Sequence, residues 1–264
     1  LKTARDFPAE MQEEGYTLSV KPGGITISAA SEAGFFYGLQ TLRQLVHGKK
    51  SIPCCNIKDW PAFKYRGYMQ DCGRNFRKLE RLKKEIDLAA RLKVQCRSYP
   101  ELNSPKFRTR DQNDTYSYDE IRELFQYAKD RCITIIPELD MPGHSAYFER
   151  AFGFKMHTPE GMKIVSKLLD EFCKEVPADL CPIIHFGADE VRIPNAAEFV
   201  GMVTGKLQEH NRIPVQWASN RDLPVAETSI EQRWGKGPNT ADKSINPERI
   251  TRRAFDSTMG YANL

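Results

Sequence analysis

Ile183-Ile184-His185-Phe186-Gly187-Ala188-Asp189-Glu190-Val191 is an apolar run that ends in two adjacent carboxylates. A run of this kind, without alternation, reads as a strand covered on both faces, as in a parallel sheet clothed by helices. Acids at the carboxyl end of such a strand lie where parallel barrels keep their reactive groups.

The neighbouring segments repeat the strand-then-helix order, which implies parallel pairing from Trp60 onward. Tyr65 to Gln70 reads as a first strand, followed by a helix with Leu79, Leu82, Ile86 and Ala89 on its inner face. A short Leu92 to Cys96 serves as a second strand. Ser117 and Glu120 form a capping box ahead of Ile121, Leu124, Phe125 and Ala128, and Ile133 to Ile136 follows as a third strand. Thr158-Pro159 opens another helix with Met162, Val165, Leu168, Leu169 and Phe172 inward, before the strand quoted above. Further strands are expected at 215–217, 230–234 and 254–257, and the stretch 235–246 reads as a loop. The expected fold class is α/β: a (β/α)8-type TIM barrel, incomplete at about seven strands, over residues 59–264.

Residues 1–58 read as a small α+β domain in front of it. Tyr16 to Val20 and Gly24 to Ser28 alternate like paired strands around Lys21-Pro22-Gly23. A helix from Ser31 to His47 would cover that sheet with Phe35, Phe36, Leu39, Leu42 and Leu45. Segment 51–57 then leads into the barrel.

Composition agrees with a globular chain. Its 264 residues are 40% hydrophobic and 28% charged, enough for one large core or for a small domain beside a larger one. The net charge of +4 is spread over 39 basic and 35 acidic side chains, so nucleic acid is not an expected partner. No stretch is long and apolar enough to span a bilayer. The seven cysteines form no CxxC pair, and an odd number argues for reduced, mostly buried thiols. The chain begins at Leu1 without an apolar signal region, so its compartment is not legible, and neither is its oligomeric state.

Polar residues collect at the expected strand ends: Arg66, Asp71 and Arg74 after the first, Glu138, Asp140 and His144 after the third, His185, Asp189 and Glu190 after the fourth. Paired carboxylates in one barrel mouth suit hydrolysis through an oxocarbenium-like transition state. Adjacent acids serve both roles only if their side chains diverge. Taken alone, Asp189 reads equally as the cap of the next helix and Glu190 as a solvated first-turn acid. Trp217 and Trp234, at the ends of apolar strands, are candidates for an aromatic wall or for core. His144 reads as a loop histidine bonded to Asp140, and Arg66 equally as an ion-paired residue. A metal site from His144, His185, Asp140 and Asp189 is conceivable in ligand type, but no two histidines share the helical spacing of zinc hydrolases, and no metal is expected.

Taken together these segments resemble the glycoside hydrolase family of β-N-acetylhexosaminidases. The matching pieces are Gly34-Phe35-Phe36-Tyr37-Gly38-Leu39-Gln40-Thr41-Leu42-Arg43-Gln44-Leu45, then Phe63-Lys64-Tyr65-Arg66-Gly67 with Asp71 and Arg74. They continue with Pro137-Glu138-Leu139-Asp140-Met141-Pro142-Gly143-His144-Ser145, with His185 to Glu190, and with Ser257 to Asn263. The resemblance implies exo-hydrolysis of terminal β-linked N-acetylhexosamine, with oligosaccharides or glycoconjugates as substrates, by a retaining mechanism in which the substrate's own acetamido oxygen attacks. It implies Glu190 as general acid and base, protonated with the help of burial and of Asp189. Asp189 would bond the acetamido N–H, and Tyr261 its oxygen. Trp217 and Trp234 would enclose the methyl group, and Arg66 would hold sugar hydroxyls. Asp140, His144, His185 and Glu138 are the supporting residues. No cofactor is implied. A periplasmic or secreted location would suit the family.

Two departures from the family pattern stand out. The His-Trp-His-Leu-Thr-Asp/Glu type segment after the second strand is replaced by Lys93-Val94-Gln95-Cys96-Arg97 running into Ser98-Tyr99-Pro100-Glu101-Leu102, and the chain ends at Leu264, before an eighth strand. Ala188 stands where many members have glycine, and its methyl group is expected to be tolerated. Two other readings stay open: a catalytically inactive remnant that binds N-acetylated sugars, and a two-carboxylate glycosidase using Glu138 and Glu190.

Overall fold

The structure, a computed structural model, describes residues 2–3, 7–62, 66–70, 72, 76–91, 95–98, 116–218, 223–233 and 254–256. In chain order the strands and helices are β1 (Lys2–Thr3), β2 (Tyr16–Lys21), β3 (Gly24–Ala29), α1 (Glu32–Val46), β4 (Cys55–Asp59), β5 (Gly67–Gln70), α2 (Leu79–Arg91), β6 (Gln95–Ser98), α3 (Tyr118–Lys129), β7 (Glu138–Met141), α4 (Ala146–Phe152), α5 (Pro159–Glu175), β8 (Ile183–Gly187), α6 (Ala196–Glu209), β9 (Ile213–Ala218), β10 (Ile230–Arg233) and β11 (Ala254–Asp256). They fall into two compact units: residues 1–68 with 80–96 and 127–133, and residues 69–79 with 97–126 and 134–264.

In the first unit a four-stranded sheet has the order β1-β3-β2-β4. The β2–β3 hairpin closes with Lys21 opposite Gly24, which puts the expected Pro22-Gly23 turn at its tip. Alternation along β2 buries Tyr16, Leu18 and Val20 on one face, where they meet Ile27, Ala29 and Tyr37. Helix α1 starts at Ser31, whose side chain accepts the Gly34 N–H at 3.0 Å. Phe35, Phe36, Leu42 and Leu45 pack against the sheet as expected. Leu39 instead points outward, while Tyr37 and Gln40 are buried, so the inner face lies slightly rotated from the apolar stripe. The segment expected only to lead into the barrel contains β4, antiparallel to β2.

The second unit holds a five-stranded parallel sheet in the order β11-β10-β9-β8-β7. Strands β5 and β6 form a separate two-stranded pair. Burial of both faces explains the apolar run of β8: Ile184 and Phe186 are fully buried on one side and His185 on the other. Helix α5 is capped by Thr158 with proline at its first turn, and α3 opens on the Ser117–Glu120 box, where Ser117 N–H donates to Glu120 at 2.8 Å.

Two strand assignments shift. The third strand was expected over 133–136, but the ladder begins at Glu138. Ile133, Ile135 and Ile136 are buried without being paired. Pro137 has no N–H to offer, and only its carbonyl joins the sheet, accepting His185 N–H at 2.9 Å. The second strand, expected to end at Cys96, runs on to Ser98, and residues 92–94 lie outside those described. Helices α4 and α6 add to the expected set, and the loop expected over 235–246 lies outside the described residues. No helix among the described residues is long and apolar enough to cross a membrane.

Candidate active site

The carboxyl ends of β7, β8 and β9 carry the site. Register places Glu138 beside His185, and His185 beside Val215, with Trp217 two residues further along β9 on the same face. Trp217 is 8% exposed, and its indole N–H donates to Glu138 Oε1 at 2.8 Å. The His185 ring packs against the indole with centroids 4.8 Å apart. His185 Nδ1 accepts the Gly187 N–H at 3.0 Å, so its approach to Glu138 Oε1 at 3.5 Å is a contact between two acceptors in that tautomer, not a hydrogen bond. Glu138 and Asp140, expected past the strand, lie within β7 because the strand starts later.

Beyond β8 the backbone leaves the extended region. Gly187, Ala188 and Glu190 have φ of 72°, 76° and 50°, and the sharp bend turns successive side chains apart. The Asp189 side chain is 17% exposed and that of Glu190 44%. The helix-cap reading of the pair does not hold, since α6 begins seven residues later, behind Asn195. Burial of Glu190, expected to aid its protonation, is absent too: it stands at the rim of the bend.

The turn after β7 supplies His144, itself at φ 46°. Its Nε2 lies 3.6 Å from Asp189 Oδ2 and 3.7 Å from Glu190 Oε2, between the two acids and beyond hydrogen-bond length from each. Glycines bring the two loops this close. A Cβ on Gly143 would meet the Asp189 carbonyl at 2.7 Å, and one on Gly187 would meet Asp140 Oδ1 at 1.9 Å. Asp140, His144 and Asp189 each offer a donor atom within 4.8 Å of the others. Of the conceivable four-ligand metal set, these three are brought together and His185 is not among them. The arrangement holds one shielded acid, one exposed acid and an imidazole within 4 Å of both.

Residues 2–60 match the family model for glycosyl hydrolase family 20, domain 2, and residues 63–154 match that for the glycosyl hydrolase family 20 catalytic domain. The chain belongs to glycoside hydrolase family 20. Among its relatives, beta-hexosaminidase subunit A1 of Dictyostelium discoideum is 32% identical over 273 residues, taking in 90% of this chain and 48% of that protein. The beta-hexosaminidase of Porphyromonas gingivalis is 36% identical over 171 residues, 53% of this chain and 22% of that protein. The chain therefore spans less than half the length of these curated relatives. The crystal structure of an exo beta-N-acetylglucosaminidase of the same family from Vibrio harveyi, in complex with N-acetylglucosamine, superposes with a TM-score of 0.73 at 22% identity, covering 89% of this chain and 48% of that one. Such a likeness carries the fold: a TIM-barrel type catalytic domain preceded by an N-terminal domain. The strands described do not close a barrel.

Of the site residues expected in this family 20 chain, Glu138, Asp140, His144, His185, Asp189, Glu190 and Trp217 come together in the second unit. Arg66 lies in the first unit, where it is ion-paired with Glu14 beside Tyr37. Trp234, Tyr261, Asp71 and Arg74 lie outside the described residues. Ala188 costs more than its methyl group suggests: it is fully buried with φ in the left-handed region, where a non-glycine residue is disfavoured by about 1–2 kcal/mol. The contacts that fix the site, the hydrogen bond from Trp217 to Glu138 and the close approach of Gly187 to Asp140, had no sequence signal, because each joins residues distant in the chain.

Proposed function

We propose that this chain carries the acid/base centre of an exo-β-N-acetylhexosaminidase, acting on oligosaccharides or glycoconjugates that end in N-acetylhexosamine. The observation that carries the reading is the bend at 187–190, which gives neighbouring carboxylates unlike surroundings with His144 between them. Unlike surroundings are what two acids need for two roles.

In the first step the acetamido oxygen bonds to the anomeric carbon as the glycosidic C–O bond breaks, and Glu190 gives its proton to the leaving oxygen. Asp189, shielded and ionised, accepts the acetamido N–H, turns the carbonyl toward the anomeric carbon and offsets charge on the cyclic oxazolinium. Water then attacks the anomeric carbon, Glu190 takes its proton, and the ring reopens with net retention. His144 and Asp140 hold the acids in place. Trp217 forms one wall for the acetamido methyl, and the same reading assigns Trp234, Tyr261 and Arg66 to the sugar. The division at residue 58 and a periplasmic or secreted location belong to this proposal.

A chromogenic β-N-acetylglucosaminide and its galactosaminide counterpart test it. Glu190→Gln is expected to lower kcat by about 10³-fold. Turnover by Glu190→Gln at the unmutated rate overturns the acid/base role. Equal rates on a substrate lacking the acetamido group overturn the substrate-assisted step.

A further inference from the structure

We propose that Glu138 is a positioning residue that sets which N-acyl group the site accepts, by fixing the orientation of the Trp217 indole. The inference rests on the reading of Trp217 given above and adds a determinant of specificity that does not itself touch substrate.

Glu138 is 7% exposed, on a sheet face it shares with Ile136, Ile183, Val215 and Ile230 and with His185 and Trp217. A carboxylate buried on such a face is costly unless it is bonded there. At this position a leucine or methionine would fill the space without that cost, so the acid is explained by what it holds. It holds Trp217: the indole N–H reaches Glu138 Oε1 at 2.8 Å across β8, between the two strands they stand on. The second restraint is His185, whose ring lies against the indole at 4.8 Å and 57°. Flipping the indole would take its N–H away from the carboxylate and change its contact with the imidazole. A tryptophan fixed at its polar edge and across its face is a rigid wall.

Rigidity matters because acyl-size selection is a matter of small volumes. One extra methylene in an apolar pocket is discriminated by about 10–200-fold when the walls hold, and by less when they yield. Trp217 is the penultimate residue of β9, at the end of the sheet where β8 delivers Asp189 and Glu190. An indole that cannot turn there limits the acyl group to about the size of acetyl. Once freed, it can swing aside for propionyl or butyryl.

The test uses the whole chain with chromogenic N-acetyl, N-propionyl and N-butyryl glucosaminides. Glu138→Gln keeps an oxygen that accepts the indole N–H, whereas Glu138→Leu keeps the volume and removes the acceptor. The ratio of kcat/KM for N-acetyl over N-butyryl is expected to be unchanged in Glu138→Gln and to fall about 10-fold or more in Glu138→Leu. A uniform fall across all three substrates in Glu138→Leu, with the ratio preserved, overturns the inference and leaves Glu138 a structural residue. A total lack of turnover would defeat the proposed activity and not this inference. The same ratio is then read from titrations of the three N-acylglucosamines followed by tryptophan fluorescence, with a preserved ratio, or no binding, again overturning it.

Discussion

Gly187 shows how a single residue can hold the site together. Its φ of 72° lies in the left-handed region, and a Cβ there would stand 1.9 Å from Asp140 Oδ1 and 2.9 Å from Asp140 Cα. The carboxylate tip could swing away, but the strand backbone could not. Gly187→Ala combines left-handed strain with overpacking, and is expected to lower stability by about 3 kcal/mol in urea denaturation. Because Asp140 is the group displaced, glycosidase activity should fall further than stability alone explains. An alanine variant with unchanged urea midpoint and turnover would show that the approach of β7 to β8 is not tight. The neighbouring Ala188 has a similar φ of 76° and carries its methyl group fully buried.

At the scale of elements, what was legible followed from repetition along the chain. The β2–β3 hairpin, the capped starts of α3 and α5 and the apolar run of β8 each announce themselves within a few residues. The late start of β7 did not, because Ile133, Ile135 and Ile136 satisfy burial as well as a strand would, and pairing depends on a partner elsewhere. Arg212 is a second case of this kind. It follows α6, is 3% exposed, and donates to the carbonyls of Cys181 at 2.6 Å, Cys173 at 3.0 Å and Val176 at 2.5 Å. The Cys173 and Val176 carbonyls belong to the end of α5, where helical carbonyls lack intrahelical donors and the helix dipole favours a cation. A lone arginine between Asn211 and Ile213 gives no hint of this from sequence. Arg212→Leu would leave three carbonyls buried without these donors, and is expected to lower stability by about 3 kcal/mol. Arg212→Lys, with three donors on a flexible stem, should recover part of that loss. An Arg212→Leu protein with the original urea midpoint would mean that α5 ends without help.

Across the molecule, the cysteines report on both units at once. The six whose side chains are described stand as reduced thiols, as their odd number led one to expect, but only Cys72, Cys173 and Cys181 are buried, while Cys55 and Cys132 are half-buried and Cys54 is exposed. Cys54 belongs to the first unit, and Cys173 and Cys181 belong to the second, buried beside the carbonyls that Arg212 binds. Burial pushes the Cys181 thiol up to about 12, with the Arg212 charge pulling only partly the other way. Alkylation needs the thiolate, so at pH 8 Cys181 is protected twice: by access, and by a thiolate fraction on the order of 10⁻⁴. Raising the pH within the range where the protein stays folded increases that fraction but does not open a path. Iodoacetamide followed by peptide mass spectrometry should therefore label Cys54 promptly in the native protein and leave Cys173 and Cys181 unlabelled. With rising urea, labelling of those two should begin with the loss of far-ultraviolet circular dichroism, because α5, β8 and Arg212 all have to separate first. Prompt labelling of Cys181 in buffer would contradict the packing of α5 against the start of β8. Labelling of Cys173 and Cys181 at a urea concentration well below the circular dichroism transition would mean that this part of the second unit opens on its own.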